Sequence, residues 1–219
     1  MAILFAQHWD VVENVEKKYE EFILRKYIPT YQKTGLRITG AYYVVVGHGP
    51  RIIGVSTTED PLVFQKAITS DEYSDLMEEL FPLIRNYNSR LYKSFGPIKI
   101  DKYEMQFDVW KFNQYFNILP GKGKDYRKFL EEEFIPGMEE VGIHLTNIWK
   151  VIIGSGPFVL VEGTGHRIED IAKAIATDSY RTLTRTLKSR YVSDYQSKIL
   201  APTKRVEIPY LIKGMTAKL

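Results

Sequence analysis

The chain has no cysteine among its 219 residues. That absence excludes disulfide bonds, thiolate catalysis and cysteine-based metal sites, and it favours a cytoplasmic protein. Long apolar runs are absent as well, so we expect no transmembrane helix and no membrane partner. The start, MAILFAQHWD, has no basic stretch ahead of a long apolar stretch, so we expect no signal peptide.

Positive and negative residues nearly balance, because the formal net charge is only +3. Proteins that bind nucleic acid usually carry a dense basic face, so we expect no nucleic-acid partner. The histidines are His8, His48, His144 and His166, and none of them forms an HxH or HExxH spacing. We therefore predict no metal site.

An internal repeat is the strongest pattern that the chain does contain. Residues 26–50 read KYIPTYQKTGLRITGAYYVVVGHGP, and residues 133–157 read EFIPGMEEVGIHLTNIWKVIIGSGP. At this offset of 107 residues, eight of the twenty-five positions are identical. We infer a tandem duplication, with a first unit over residues 1–104, a second over 105–208 and a C-terminal arm over 209–219.

Hydrophobic periodicity predicts the same order of elements in both units. In the first unit we expect strands over residues 2–9, 36–46, 51–57 and 90–100, and helices over 13–33, 61–68 and 71–88. In the second we expect strands over 106–116, 143–153, 158–162 and 203–208, and helices over 125–141, 168–176 and 178–195. Pro29 lies inside the first long helix and predicts a kink or an early end there. The order βαββαβ is that of the ferredoxin-like unit.

A four-stranded sheet with its helices on one face leaves the other face bare. Packing this face against its own copy buries it. We therefore predict an α+β fold in which two tandem ferredoxin-like repeats pack their antiparallel sheets into one intrachain α+β barrel. We expect a cavity between the two sheets.

Several short motifs recur in the two units. They are the glycine at the end of the long helix, the Gly-x-Gly-Pro hairpin, and the segments KAITSDEY and KAIATDSY; the second unit also has Pro-Gly-Lys between its first strand and helix. With them the chain resembles the dimeric α+β-barrel superfamily, and within it NIPSNAP-like and antibiotic-monooxygenase-like proteins. That superfamily includes cofactor-free oxygenases, isomerases and haem enzymes. The resemblance thus implies a fold but no single activity, and we match no catalytic motif of the family.

The second strand of each unit offers candidate catalytic residues. Alternation predicts one apolar face that packs under the helices, formed by Leu36, Ile38, Tyr42, Val44, Val46 and, in the second unit, Ile143, Leu145, Trp149, Val151 and Ile153. The opposite face would turn Arg37 and Tyr43 of one unit, and His144 and Lys150 of the other, toward the cavity. Tyr43, His144 and Lys150 are the candidate acid–base groups. The alternative is that these side chains are simply solvated near the strand ends.

A glutamine stands at the same place on the first strand of both units. Gln7 has Trp9 beside it on the same face, and Gln114 has Phe116. Each amide would orient a ligand between aromatic walls. The alternative is that a buried amide ties neighbouring strands together.

These residues lead to three hypotheses of function. The first is a protein that binds a small hydrophobic or aromatic molecule, as a cofactor-independent oxygenase or isomerase. The second is a non-catalytic binding or assembly protein whose barrel is filled by its own aromatic side chains. The third, implied by the resemblance, is a haem-binding tandem barrel of the chlorite-dismutase type with a histidine as axial ligand. We otherwise predict no cofactor.

Charge differs between equivalent helices of the two units. Residues 71–79 are rich in acidic side chains, whereas Arg181, Arg185, Lys188 and Arg190 make the matching helix basic. Opposite charges on equivalent helices suit head-to-tail contact between chains, so we predict a possible homo-oligomer through these two helices. The alternative is that both faces are solvated.

Overall fold

The computed structural model describes residues 2–98, 103 and 109–203. The strands are β1 (Ile3–Val11), β2 (Arg37–Val46), β3 (Ile52–Thr58), β4 (Ile84–Ser94), β5 (Trp110–Ile118), β6 (His144–Ile153), β7 (Val159–Gly165) and β8 (Val192–Pro202). The helices are α1 (Glu16–Phe22), α2 (Ile28–Lys33), α3 (Pro61–Ile68), α4 (Asp71–Leu80), α5 (Gly123–Phe129), α6 (Ile135–Glu140), α7 (Ile168–Ala176) and α8 (Asp178–Arg190). The proposed boundary at 104/105 and the arm over 209–219 lie outside the described residues.

The eight antiparallel strands close into one barrel in the order β1-β3-β2-β8-β5-β7-β6-β4. Within each repeat the order is fourth, first, third, second, which is that of a ferredoxin-like sheet. The two sheets join where β2 pairs with β8 and where β6 pairs with β4. Each join links the second strand of one repeat to the fourth strand of the other, which relates the repeats by a pseudo-twofold axis. The predicted fold class is confirmed.

The long helix of each repeat contains a wide turn where a kink or an early end was expected. A π-helical turn over Ile23–Tyr27 joins α1 to α2, and the amide of Ile28 donates to the carbonyl of Ile23. Pro29 follows directly and has no N–H to donate. The wide turn shifts the hydrogen-bond register ahead of the proline, so the helix continues to Lys33. The second repeat has the same turn over Leu130–Phe134, ahead of Pro136.

The later helices are shorter than expected. The helix expected over 71–88 ends at Leu80, a 3-10 turn follows over Phe81–Leu83, and β4 begins at Ile84. Pro82 explains the change, because it lacks the N–H that another helical turn requires. The helix expected over 178–195 likewise ends at Arg190, and β8 over Val192–Pro202 replaces the strand expected over 203–208. Of that expected strand, only Thr203 lies among the described residues.

A β-bulge reverses part of the expected face assignment. The register of β2 against β3 shifts between Ile38 and Gly40, so side chains beyond this point face the side of the sheet opposite to the one expected. Leu36 packs under the helices as expected, but Tyr42 and Val44 point into the barrel. The equivalent bulge in β6, between Leu145 and Asn147, turns Trp149 and Val151 into the barrel as well. The prediction that these four side chains pack under the helices was wrong.

Side chains fill the barrel interior, so the described residues do not form the cavity expected between the two sheets. The apolar part of the interior includes Leu4, Tyr42, Tyr92 and Trp149, all buried. A space of about 20 Å³ lies among these side chains, room for about one water molecule.

A buried ion pair contributes to this packing. Lys111 Nζ lies 2.8 Å from Glu162 Oε1, and both side chains are at most 5% exposed. Tyr103 donates to the same carboxylate oxygen over 2.6 Å, and Thr146 donates to it over 3.0 Å. The carboxylate is therefore well satisfied, as a buried charge must be.

Candidate ligand-binding site

The molecule has a cavity of about 670 Å³ in its first repeat, between the sheet and the segment formed by α1, the π turn and α2. This is the helix side of the sheet, outside the barrel. The lining residues are Gln7, Trp9, Tyr19, Glu20, Ile23, Leu24, Tyr27, Ile28, Tyr31, Ile38, Gly40, Ala41, Tyr43, Ile52, Gly54, Val55, Ser56 and Thr203. Aromatic and aliphatic groups dominate this surface, which is typical of sites for small organic molecules.

Gln7 is the centre of a hydrogen-bond network at the cavity wall. Its Oε1 accepts from the hydroxyl of Tyr27 over 3.0 Å. Its Nε2 donates to Tyr87 over 2.9 Å and to Tyr73 over 3.3 Å. Burial, together with the neighbouring phenols, raises the pKa of Tyr27 and of Tyr73 well above 10. The network is therefore neutral and rigid, and it fixes the wall without presenting a charge.

Two further pairs hold the remaining polar groups of the wall. The indole of Trp9 donates to the hydroxyl of Tyr19 over 2.9 Å. The hydroxyls of Tyr31 and Ser56 are 2.8 Å apart. Each pair uses one donor, so the Tyr19 hydroxyl keeps its own hydrogen, and apart from such hydroxyls a ligand meets ring faces and aliphatic carbon there.

Tyr43 and Glu20 are two wall residues whose polar groups are uncommitted. Among the described residues, the Tyr43 hydroxyl and the Glu20 carboxylate make no hydrogen bond within the protein. Burial, followed by the negative charge of Glu20, raises the pKa of Tyr43 to about 12. Tyr43 is therefore a neutral hydrogen-bond donor at neutral pH, and Glu20 is an exposed carboxylate at the mouth. The side chain of Leu24, 60% exposed, borders the same opening.

The equivalent space in the second repeat is filled. Gly54 and Ala41 line the cavity, whereas Val161 and Ile148 stand at these places in the second repeat and are fully buried. Register supports the equivalence, because Gln7 pairs with Gly54 in β3 and Gln114 pairs with Val161 in β7. The two larger side chains pack into one core with the helices. Among the described residues, the space that is open under the long helix of the first repeat is therefore occupied by side chains in the second.

The predicted site residues separate into two groups. Gln7, Trp9 and Tyr43 line the cavity together. Gln114 and Phe116 instead lie fully buried in the core of the second repeat, where Gln114 Oε1 accepts from Tyr195 over 2.8 Å. The set of Tyr43, His144 and Lys150 is not brought together, since the β-bulges and the closed barrel leave no shared space between the sheets.

The other predicted residues lie on the surface or at its edge. His144 is exposed, and its Nδ1 is 2.7 Å from a Glu139 carboxylate oxygen. Lys150 is exposed, with its ammonium 5.7 Å from the ring centre of Phe95. Arg37 donates to the backbone carbonyl of Tyr103 over 2.8 Å and forms an ion pair with Glu59. None of the three lines the cavity of the first repeat.

The residues that sequence reasoning missed are Gly54, Ala41 and the tyrosines of the long helix. A signal for the first two was available, because the repeat alignment sets Gly54 against Val161 and Ala41 against Ile148. Loss of bulk at two equivalent positions indicates a cavity in the unit with the small residues.

A haem does not fit the donors of this cavity. Its lining contains no histidine. The hydroxyls of Tyr19, Tyr27 and Tyr31 are each engaged in hydrogen bonds, and burial raises the pKa of each of these phenols, which opposes the phenolate that a tyrosine ligand needs. His8, the buried histidine, borders a space of only about 20 Å³. Within the described ranges, no three His, Asp or Glu side chains converge as a metal site would require.

The barrel of tandem ferredoxin-like repeats defines the class of fold, and comparison with solved structures finds the same fold in several proteins. A candidate monooxygenase from Fusobacterium nucleatum matches with a TM-score of 0.61 and 13% identity over 92% of both chains. An anthrone oxidase-like protein matches with a TM-score of 0.61 and 9% identity, over 92% of this chain and 91% of the other. A chlorite dismutase variant from Candidatus Nitrospira defluvii matches with a TM-score of 0.59 and 8% identity over 92% of both chains.

NIPSNAP-like proteins from Burkholderia xenovorans and Agrobacterium tumefaciens are also neighbours, matching 41% and 45% of this chain at TM-scores of 0.35 and 0.37. The likeness of fold rests on the three matches that cover about nine-tenths of both chains. No family model and no curated protein matches the sequence. In the part of the chain that the structure describes, none of the helices has the length and apolar character needed to cross a membrane.

Proposed function

We propose that this protein binds a hydrophobic, at least partly aromatic small molecule in the cavity of its first repeat. The observation that carries the proposal is the difference between the repeats. Where the second repeat closes its core with Val161 and Ile148, the first has Gly54 and Ala41 and keeps about 670 Å³ open. That volume is within the range of roughly 300–1,000 Å³ that ligand sites occupy.

The chemistry of the wall favours a flat, mostly apolar ligand. The rings of Trp9, Tyr27 and Tyr31 offer faces and edges for stacking, and the stacked pair Tyr27–Tyr31 has its ring centres 5.3 Å apart. Tyr43 is a neutral donor that faces the cavity near Glu20 and suits a ligand carbonyl or hydroxyl oxygen. We infer a ligand that is apolar along most of its length and has one oxygen near the mouth.

A second candidate function, catalysis by proton abstraction, is favoured by Tyr43 and Glu20. Glu20 would take a proton from a carbon next to the ligand carbonyl, and Tyr43 would donate a hydrogen bond to the enolate oxygen that forms. If the proton returns to another carbon, the reaction is an isomerisation. If the carbanion instead reacts with dioxygen as co-substrate, the protein is a cofactor-independent oxygenase. Neighbours described as a candidate monooxygenase and an anthrone oxidase-like protein support the second reaction.

Binding can be tested by thermal shift with a panel of polycyclic aromatic ketones and phenols. A compound that binds only the native state raises the melting temperature. We expect the Gly54→Val variant to lose this response, because the new side chain occupies the cavity next to Trp9, whose ring lies 3.0 Å from an added Cβ. Gly123→Ala is the matched control, since an added Cβ meets nothing within 4 Å there. An equal response of both variants would contradict the proposal.

Catalysis can be tested on any compound that binds. We expect Glu20→Gln to abolish exchange of the acidic C–H in deuterium oxide, while binding persists. Tyr43→Phe should slow the exchange by about 10²–10³-fold, the usual loss on removing one donor to an oxyanion. If wild-type protein binds the compound without accelerating exchange, it is a binding protein for that compound.

We also propose contact between chains through α4 and α8. The acidic side chains of α4 and the basic side chains of α8 are exposed. Complementary charge of this kind steers association and weakens as salt rises. Sedimentation velocity should show an oligomer at low ionic strength that dissociates at high salt. A monomer at every salt concentration would exclude this contact.

A further inference from the structure

A cluster of cations lies at one end of the barrel interior, away from the ligand cavity. Arg90 pairs with Ala6 in the sheet, and Lys198 pairs with Asn113. Because Ala6 and Asn113 are equivalent residues of the two repeats, the pseudo-twofold axis relates Arg90 to Lys198. Each also packs against the glycine hairpin of the other repeat, Arg90 against Gly154 and Lys198 against Gly47. The duplication thus sets two cations opposite one another.

The charges of this cluster are not balanced within the described residues. Lys198 is 9% exposed and forms no ion pair there, and Arg90 donates to the backbone carbonyl of Gly156 and lies beside the Tyr92 hydroxyl. Arg51 adds a third cation nearby. Asp10 is the nearby carboxylate, and its oxygens already accept from the Arg51 amide over 2.7 Å and from Asn86 over 2.9 Å. Lys111 and Glu162, deeper in the barrel, pair with each other.

Several buried polar atoms beside these cations have no partner in the described part of the chain. They are His8 Nδ1, Arg90 Nε, Tyr92 Oη and Asn113 Oδ1. His8 is 4% exposed. Buried groups of this kind cost free energy unless a ligand or water satisfies them. Three of the four atoms can donate a hydrogen bond, and reversal of the Asn113 amide makes it a donor as well.

The side chains of His8, Tyr92 and Asn113 border one small space together with Tyr115. This is the space of about 20 Å³ inside the barrel, and the paired Lys111 and Glu162 border it as well. Arg90 and Lys198 do not line it, but the Lys198 ammonium lies 5.5 Å from the ring centre of Tyr115, which does. A single small species in this space therefore meets the unpaired atoms of His8, Tyr92 and Asn113, and the two cations lie close by.

We propose that this end of the barrel binds one small inorganic monoanion, of about the size of chloride, against His8, Tyr92 and Asn113 and close to the charges of Arg90 and Lys198. The limited space excludes phosphate and organic acids. The surplus of positive charge favours an anion over the neutral water that the space would also admit. The electrostatics agree, because burial, Arg90 and Arg51 lower the pKa of Lys198 to about 8, and the carboxylate of Asp10 offsets them only in part.

Unfolding in chloride and in gluconate at equal ionic strength tests the proposal. At a chloride concentration ten times its dissociation constant, the melting temperature should rise by about 3–6 °C relative to gluconate. Lys198→Met should lose this rise and should be more stable than the wild type in gluconate, because it removes the repulsion. Lys173→Met, which removes an exposed lysine of α7, should keep the rise.

A crystal grown in bromide provides a second measurement that does not depend on how a variant folds. We expect an anomalous peak within contact distance of His8 Nδ1 and the Tyr92 hydroxyl. Bromide bound only at the outer surface, or a water molecule at this position in saturating bromide, would overturn the proposal. So would a wild-type melting temperature that is the same in chloride and gluconate.

Discussion

At the scale of the residue, Gln7 and Gln114 occupy equivalent positions but have different surroundings. Gln7 uses both ends of its amide, bonding Tyr27, Tyr73 and Tyr87. Gln114 accepts one hydrogen bond from Tyr195, and its Nε2 has no partner in the described residues. The sequence suggested either a ligand-orienting amide or a buried structural amide. In the first repeat the amide lines the cavity and holds its wall together.

The effect of removing each amide on stability should therefore differ. Gln7→Leu leaves buried hydroxyls without a partner, which costs about 1–3 kcal/mol of unfolding free energy for each unsatisfied group. Gln114→Leu also removes an amide nitrogen that lacks a partner, so its cost should be smaller. Urea unfolding of both variants measures the difference, and equal losses would contradict the role given to Gln7.

His8 should make stability depend on pH. Burial, followed by the charges of Lys198 and Arg90, lowers the pKa of His8 from 6.5 to about 3. The neutral form is the one that folds, so its contribution is complete above pH 6.5 and is lost as the pH falls toward 3. In that window the unfolding free energy should fall by up to about 1.4 kcal/mol per pH unit through this group.

The comparison that isolates this contribution is between wild type and His8→Leu in a buffer free of small anions. Urea unfolding between pH 4.5 and 7.5 should give a shallower pH dependence for the variant. Carboxylates titrate in both proteins, so their contribution cancels in the difference. Parallel pH curves for the two proteins would show that His8 is solvated.

At the scale of the element, turns and bulges decide which predictions hold. The glycines that end the long helices, Gly35 and Gly142, adopt φ values of +88° and +87°, as expected of residues that terminate a helix. The face of β2 was mispredicted beyond Ile38 because a bulge adds one residue to the strand. The alternation of side chains along a strand, read from the sequence, does not reveal an added residue. Tyr43 was therefore assigned to the barrel although it faces the helices.

Side-chain caps provide a test at this scale. The Ser70 hydroxyl accepts from the Tyr73 amide over 3.2 Å at the start of α4. Ser70→Ala should lower the unfolding free energy by about 0.5–2 kcal/mol, because the amide loses its acceptor. Ser74→Ala is the matched control, since this residue is exposed within α4 and alanine is a good helix former. Urea unfolding should separate the two variants, and equal stability would argue against the cap.

At the scale of the whole molecule, the duplication explains both what could be predicted and what could not. The repeat, the order of elements and the packing of one sheet on its copy follow from the sequence, because both copies must bury the same apolar face. The position of the cavity did not follow from that reasoning. Closure through β2–β8 and β4–β6 brings large side chains such as Tyr42, Tyr92 and Trp149 together inside the barrel, and these long-range contacts fill the space expected there.

The asymmetry between the repeats is the central claim of this account. Gly54 and Ala41 keep one helix–sheet layer open, while Val161 and Ile148 close the other. The same comparison predicts what happens when the larger side chains of the second repeat are placed at the equivalent positions of the first. Ala41→Ile combined with Gly54→Val should make the first repeat resemble the second, abolish ligand binding and preserve the fold. Circular dichroism checks the fold, and titration calorimetry checks the binding.

The most direct measurement is a crystal structure of the wild-type protein with a bound aromatic ketone identified by thermal shift. The account predicts density for one ligand per chain, between Trp9 and the π turn of the first repeat, with the ligand oxygen within hydrogen-bond distance of Tyr43. Density inside the barrel, in the second repeat or in both repeats would contradict it.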